Sequence, residues 1–295
     1  MVESLSRGAW QDAKRRHDER VGPITRDRLA RTGRKHPVYD FLFEYYSYRA
    51  GHLLRWSPGI GVWLEGATSA DADWPRLFTL DERGAILPAS AFPAHRIGQL
   101  DWAIAYQTAI RDREPVFNCF GLHEWAMVYE TRDIRHARVP LRLSVEETDN
   151  VVSATGVRCT HFDAYRFFTP SALPLNKLEL SRANSPEHDQ PGCVHANMDL
   201  YKFAFKFAPF ASSEVLADAF ELAVAARELD MRASPYDLTG LGFAPIAVET
   251  RAGRDEYAEG QREIHRRSAP VREKLLAELG RIRALTSPAS ILPCW

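Results

Sequence analysis

The chain has 295 residues, 45% of them hydrophobic, and a formal net charge of -1; this is enough for a real core in one large domain or two small ones, and too neutral for a globally cationic nucleic-acid surface. No apolar run approaches the ~20 residues that cross a bilayer and no apolar signal core opens the chain, so a soluble cytoplasmic protein is expected. Four cysteines make no disulfide scaffold, and three of them stand near histidines, which favours thiols or ligands over bridges.

Residues 1–35 read as a basic helical segment, ten Lys/Arg against five acids, with helices expected over 6–20 and 25–31. Such a segment is a solvated face, or a local contact for phosphates or an acidic partner. The main domain is expected over 36–286. Pro37 suits the first turn of an aromatic helix, KHPVYDFLFEYYSYRAGHLLRW. In it His36, Asp40 and Glu44 share a face at four-residue spacing. That row could bind a metal or shuttle a proton, or be an exposed polar face. Ser57-Pro58-Gly59-Ile60-Gly61 ends the helix. Short strands are expected at 61–65, 77–81 and 85–88, with a hairpin turn at Asp81-Glu82-Arg83-Gly84, then a helix over 97–113. Gly121 marks a break before a helix beginning near Leu122. There His123 shares a face with Met127 and Glu130, Glu124 points elsewhere, and Cys119 lies four residues before His123.

A strand is expected at 141–143, and Ser144 with Glu147 forms a capping box for a helix over 145–154. The stretch 156–210 then concentrates functional side chains. It holds two Cys-x-His units, Cys159-Thr160-His161 followed by Asp163 and Tyr165, and Cys193-Val194-His195 followed by Asp199, Tyr201 and Lys202. A strand over 157–168 would place Cys159, His161, Asp163 and Tyr165 on one face. His and Asp are rare on a buried strand face unless paired. The loop 169–192 carries Pro170, Pro174, Pro186 and Pro191, and its polar middle is a candidate lid. A helix after Gly192 puts His195 and Asp199 on one face, with Lys202 at the next turn. The His-to-Asp spacing differs between the units, so they are not a repeat.

Residues 212–230 read as an amphipathic helix capped by Ser212 or Ser213, with Glu214, Asp218, Glu221 and Glu228 on its polar side. In the turn that closes it, Arg232 could clamp a substrate carboxylate or phosphate beside Tyr236, or pair only with the neighbouring acids. A last strand is expected at 242–249. A long charged helix follows over 251–285, interrupted near Ala269-Pro270. The tail 287–295 is expected to be unstructured, with Cys294 an exposed thiol.

Three chemistries fit these residues. The first is a divalent metal, iron or zinc, held by His161 and His195 with His36 or His123 added and a carboxylate as partner. The second is a metal-free pocket in which His161–Asp163 and His195–Asp199 are acid–base pairs, with Tyr165, Arg232 and Tyr236 toward the substrate. The third, a Cys159 or Cys193 nucleophile, ranks last, because strand direction sets a histidine only two positions away. No nucleotide-cofactor motif is present, neither Walker A nor G-x-G-x-x-G, and no G-x-S-x-G or H-E-x-x-H.

At KHPVYDFLFEYY, RWSPGIG, FNCFGLHEWAMVYE, RCTHFDAYRFFTP, PGCVHANMDLYKFA and LDMRASPYDL the chain resembles a bacterial family common in actinobacteria, whose members carry the label 3-methyladenine DNA glycosylase. The resemblance covers roughly residues 30–275. It implies excision of alkylated bases from DNA, with a base extruded and stacked between aromatics. The stretch 54–61 is the one that resembles a helix-hairpin-helix. The residues themselves point to a helix-rich α+β fold, a single mixed domain with a small sheet. They also point to an enzyme with a His/Asp(/Cys) site acting on a small molecule without membrane contact. The alternatives are the glycosylase activity and a non-catalytic ligand-binding protein.

Overall fold

Ser6 ends a short extended segment and starts a helix, its hydroxyl accepting from the Ala9 amide at 3.4 Å. Strand β1, Glu3–Leu5, precedes it and helix α1, Arg7–Ala30, follows. The computed structural model describes residues 3–33, 35–74, 76–132, 134 and 139–287, so the expected tail beyond Ser287 lies outside the described residues. One helix replaces the two expected over 6–31. It runs through Gly22-Pro23, and its buried side, Trp10, His17, Val21 and Thr25, packs along its length.

The aromatic helix expected across KHPVYDFLFEYYSYRAGHLLRW is instead two short ones, α2 (Phe41–Glu44) and α3 (Ala50–Leu53), parted at Ser47, where φ is 55°. Tertiary hydrogen bonds explain the break. The Tyr46 hydroxyl donates to Asp199 at 2.9 Å and the Tyr48 hydroxyl to the Lys202 carbonyl at 2.8 Å. At helical spacing, positions 46 and 48 would point to opposite sides.

Strands β2 (Val62–Glu65), β3 (Thr79–Asp81) and β4 (Gly84–Ile86) form where expected. The sheet order is β1-β2-β4-β3, with β1 parallel to β2 and Glu3 opposite Val62. β4 is antiparallel to both β2 and β3. The stretch 54–61 leads straight into β2, so no helix follows it.

The remaining helices are α4 (Ile97–Arg111), α5 (Leu122–Ala126), α6 (Val145–Thr155), α7 (Phe162–Tyr165), α8 (Ser185–His188), α9 (Val194–Phe207), α10 (Ser213–Arg232) and α11 (Arg251–Leu285). Local chemistry sets their starts. The capping box of α6 is complete, Ser144 accepting from the Glu147 amide and Glu147 from the Ser144 amide. Ser212 caps α10 through the Val215 amide at 3.4 Å, and Thr250 caps α11 through the Gly253 amide at 3.0 Å. α11 continues through Pro270 where an interruption is expected; one amide donor is lost there. The strands expected at 141–143 and 242–249 do not form. Leu141 makes an isolated bridge to Tyr236, and Ile246 is held by its amide donating to the Arg232 carbonyl at 2.8 Å.

The strand expected over 157–168 does not form either. Only Val157 bridges, to Asn176. The Asn176 side chain then takes the place of a neighbouring strand, accepting from the Cys159 amide at 2.8 Å and donating to the Cys159 carbonyl at 3.1 Å. The backbone turns helical at Phe162. Cys159, His161, Asp163 and Tyr165 therefore do not share a strand face.

α9 is buried on nearly every side in its first half, from Val194 to Tyr201, as a central core helix must be. It packs mainly on α10 and α11, with α4 against α11 and α1 against α10. The result is a helix-rich α+β fold with one small sheet, into which β1 and α1 are built. Among the described residues no helix is long and apolar enough to cross a membrane.

Candidate functional site

Three separate stretches bring His123, His161 and His195 together. At Gly121 φ is 70°, and a Cβ there would meet Ala233 at 3.2 Å and Tyr257 at 3.3 Å. Glycine lets α5 press against the end of α10 and against α11. His123 on α5 then lies 4.4 Å from His195 on α9, ring to ring and nearly perpendicular at 82°. His195 in turn lies nearly parallel to His161, at 5.4 Å and 16°. All three are buried.

Asp230 completes the first group. On α10 the polar side carries Glu214, Asp218, Glu221 and Glu228; Arg227 and Asp230 fall about half a turn away, on the buried face. Asp230 Oδ1 is 2.9 Å from His123 Nε2, and Oδ2 is 3.8 Å from His195 Nε2. Arg227 Nη1 donates to Asp230 Oδ2 at 3.2 Å and to Glu124 Oε1 at 2.8 Å. Glu124, expected to point elsewhere, is thus part of this buried group. His123 Nε2 and Asp230 Oδ1 form a buried ion pair. The buried Tyr257 hydroxyl lies close to Asp230 as well. His123, His195 and Asp230 could hold a metal ion, one donor atom from each lying within 4.8 Å of the others.

The charges agree with that use. Burial, with His123 close by, pushes the His195 pKa well below the usual imidazole value, leaving it neutral with a lone pair to offer. Burial opposes a charge on His123, but the Asp230 carboxylate outweighs it and raises the pKa. A bound cation would displace that proton. Burial also opposes ionisation of Asp230, yet His123, His195 and Arg227 hold it well below the carboxylate range.

His161, Asp163 and Asp199 form a second such group, but this one already contains a cation. Lys202 Nζ donates to Asp199 Oδ2 at 2.7 Å and to Asp163 Oδ2 at 3.2 Å. Tyr46 serves the other Asp199 oxygen, and Arg166 lies 3.2 Å from the other Asp163 oxygen. Burial works against the Lys202 ammonium, but Asp199 and Asp163 more than restore its pKa. His161 Nδ1 bonds Asp189 Oδ1 at 2.8 Å, and the Tyr106 hydroxyl donates to the other Asp189 oxygen. His161 Nε2 is left 4.0 Å from Asp199, beyond hydrogen-bond reach. Burial disfavours the imidazolium, and Asp189 overcomes it to raise the His161 pKa. A histidine oriented by a carboxylate, with its second nitrogen free, is built for proton transfer. A cavity of about 430 Å³ opens over this group.

The other expected site residues lie elsewhere. His36 is not in either donor group; its Nδ1 accepts from the Val38 and Tyr39 amides at 3.3 Å, and its ring stacks on Tyr39. Its row-mates are paired, Asp40 with Arg31 and Glu44 with Lys35. Tyr165 packs in the core beside Phe168. Arg232 donates to the Ala244 carbonyl and Glu256, and Tyr236 is buried with Val38, Val128, Met231 and Leu238. None of the three lines the cavity over His161. Cys119, Cys159 and Cys193 are free thiols, and none joins either donor group. Burial raises all three thiol pKa values, which counts against a thiolate ligand or nucleophile.

Asp189, Asp230, Glu124 and Arg227 were not among the expected site residues, Glu124 being expected to point elsewhere and Asp230 to belong to the turn around Arg232. Arg227 and Asp230 left a usable signal, two charges on the apolar face of an amphipathic helix; Asp189, within a polar loop, left none. Compared with protein-family models, with curated proteins and with solved structures, the chain finds no match.

Proposed function

We propose that the chain is a metal-dependent enzyme acting on a small molecule. A divalent iron or zinc ion is held by His123, His195 and Asp230, and His161 is the acid–base group. The observation that carries this reading is the convergence of three buried donors from three helices, one ligand atom each of His123, His195 and Asp230 lying within 4.8 Å of the others. Two histidines and one carboxylate suit zinc and non-haem iron alike, and three protein ligands leave coordination positions open for chemistry. Bound there, the ion supplies Lewis acidity or, if iron, redox chemistry. The protein's own part is clearer in residues. Arg227 keeps one Asp230 oxygen engaged so that the other faces His123. Asp189 and Tyr106 hold the His161 ring in one orientation, and Lys202 neutralises Asp163 and Asp199 beside it. Three free thiols suit a reducing, cytoplasmic setting.

Elemental analysis of protein purified without an affinity tag tests the centre. About one iron or zinc per chain is expected, falling to background in His123→Ala and Asp230→Ala and unchanged in His36→Ala. Substoichiometric metal that both site variants leave unaltered would overturn the reading.

A further inference from the structure

The cavity over His161 is lined in a way that a metal centre alone does not call for. Trp102 and Tyr106 stack in parallel, 4.8 Å apart at 14°, and Phe203 lies 5.9 Å from Trp102 at 30°. Phe162 adds a fourth ring, with the Arg182 guanidinium 5.7 Å from its centre. Trp102 is 49% exposed. A tryptophan left so open on a cavity is apolar surface that a ligand ring can cover. The polar end of the lining is different. Asp163, Asp199 and Lys202 bind one another, and Asp189 is taken by His161 and Tyr106. His161, only 3% exposed, has an Nε2 with no hydrogen-bond partner among the described residues.

We infer that this cavity binds a small hydroxylated aromatic ring, a phenol, with its face against the open side of Trp102 and its hydroxyl at His161 Nε2. The volume of about 430 Å³ is ample for one or two rings and falls within the ~300–1,000 Å³ of small-molecule sites. A hydroxyl both donates and accepts, so it matches Nε2 whether or not that nitrogen carries a proton. Where Nε2 carries no proton, the ring O–H bond breaks and its proton passes to Nε2, the electron pair staying on oxygen as a phenolate. The inference rests on the acid–base role given to His161, but not on the metal.

Calorimetric titration of the full chain with phenol, anisole and cyclohexanol separates the two halves of this recognition. Anisole keeps the ring and loses the O–H; cyclohexanol keeps the O–H and loses the flat ring. Phenol should bind with a Kd on the order of 1 mM, as a fragment of its size allows, and about tenfold more tightly than either analogue. Trp102→Leu, at an exposed position, should weaken phenol about fivefold or more, and His161→Gln should erase the preference for phenol over anisole. Equal affinity for the three probes, no phenol binding, or a Trp102→Leu protein that binds phenol like the wild type would overturn it. Metal content measured on the same samples keeps the two readings apart. Phenol selectivity without bound metal upholds this inference and removes the metal centre; bound metal without phenol selectivity does the reverse.

Discussion

Replacing Arg227 by Met removes the one guanidinium that faces both Glu124 and Asp230, at 2.8 and 3.2 Å. Arg227 is 1% exposed and Asp230 fully buried, so water cannot take over. Methionine is close in volume and keeps the contact with the Phe41 ring, which lies 4.1 Å from the guanidinium carbon. The change is therefore mainly electrostatic. Removing one partner of a buried ion pair costs about 3–5 kcal/mol. At roughly 2–4 °C per kcal/mol for chains of this size, the melting temperature in chelator should fall by roughly 6–20 °C. Added zinc or ferrous ion should then raise the variant's melting temperature more than the wild type's, because two carboxylates without a counter-ion attract the cation more strongly. For scale, ligand at 100 times its Kd adds about 2.7 kcal/mol. Melting curves in chelator and in excess metal, read by circular dichroism, give both quantities. A variant melting within about 2 °C of the wild type in chelator would falsify the electrostatic account of the group. Equal metal-induced shifts in the two proteins would separate Arg227 from the proposed ion.

Three further changes probe the scaffold. Asp218 accepts from Arg20 and Lys274; burial works against its charge, but those cations hold its pKa below the ordinary 3.8. Its stabilisation is complete above the unfolded pKa and is lost as pH falls through the lower folded value, so Asp218→Asn should lower the melting temperature at about pH 7 and shrink its fall between about pH 5 and pH 2; an unchanged acid limb would contradict this. Gly121→Ala places a Cβ at φ 70° within 3.2 Å of Ala233 and should lower stability by at least about 1–2 kcal/mol, seen as a lower urea midpoint at constant slope, whereas Gly280→Ala, with open space around it, should raise stability by up to about 1 kcal/mol.

Much of the scaffold was written in local signals. The Ser144–Glu147 box, the Ser212 cap and the Asp81–Gly84 hairpin each depend on a few adjacent residues, and each stands where the sequence puts it. What failed depended on distant partners. The run YYSY reads as helix, but hydroxyls reaching Asp199 and Lys202 bend it at Ser47. The alternation from Cys159 to Tyr165 reads as a strand, but an asparagine side chain at 176 serves as its neighbour. The histidines at 123, 161 and 195 were legible as candidates because such residues are rare in apolar surroundings. Their carboxylate partners were not, since pairing of His161 with Asp189 and of His123 with Asp230 is decided by how the loop and α10 pack. His36 drew attention through its spacing to Asp40, and spacing along one segment says nothing about which way that segment faces.

The place of α11 in the chain bears on how such a closed centre is assembled. His123, His195 and Asp230 all lie on α5, α9 and α10, which are complete before Arg251 is made. Tyr257, fully buried beside Asp230, and Gln261, which donates to the Gly192 carbonyl at 3.0 Å, come afterwards. During synthesis from the N-terminus the three donors therefore exist while their cover does not. For the proposed metal centre, this order would let an ion reach its three ligands before the last helix covers them.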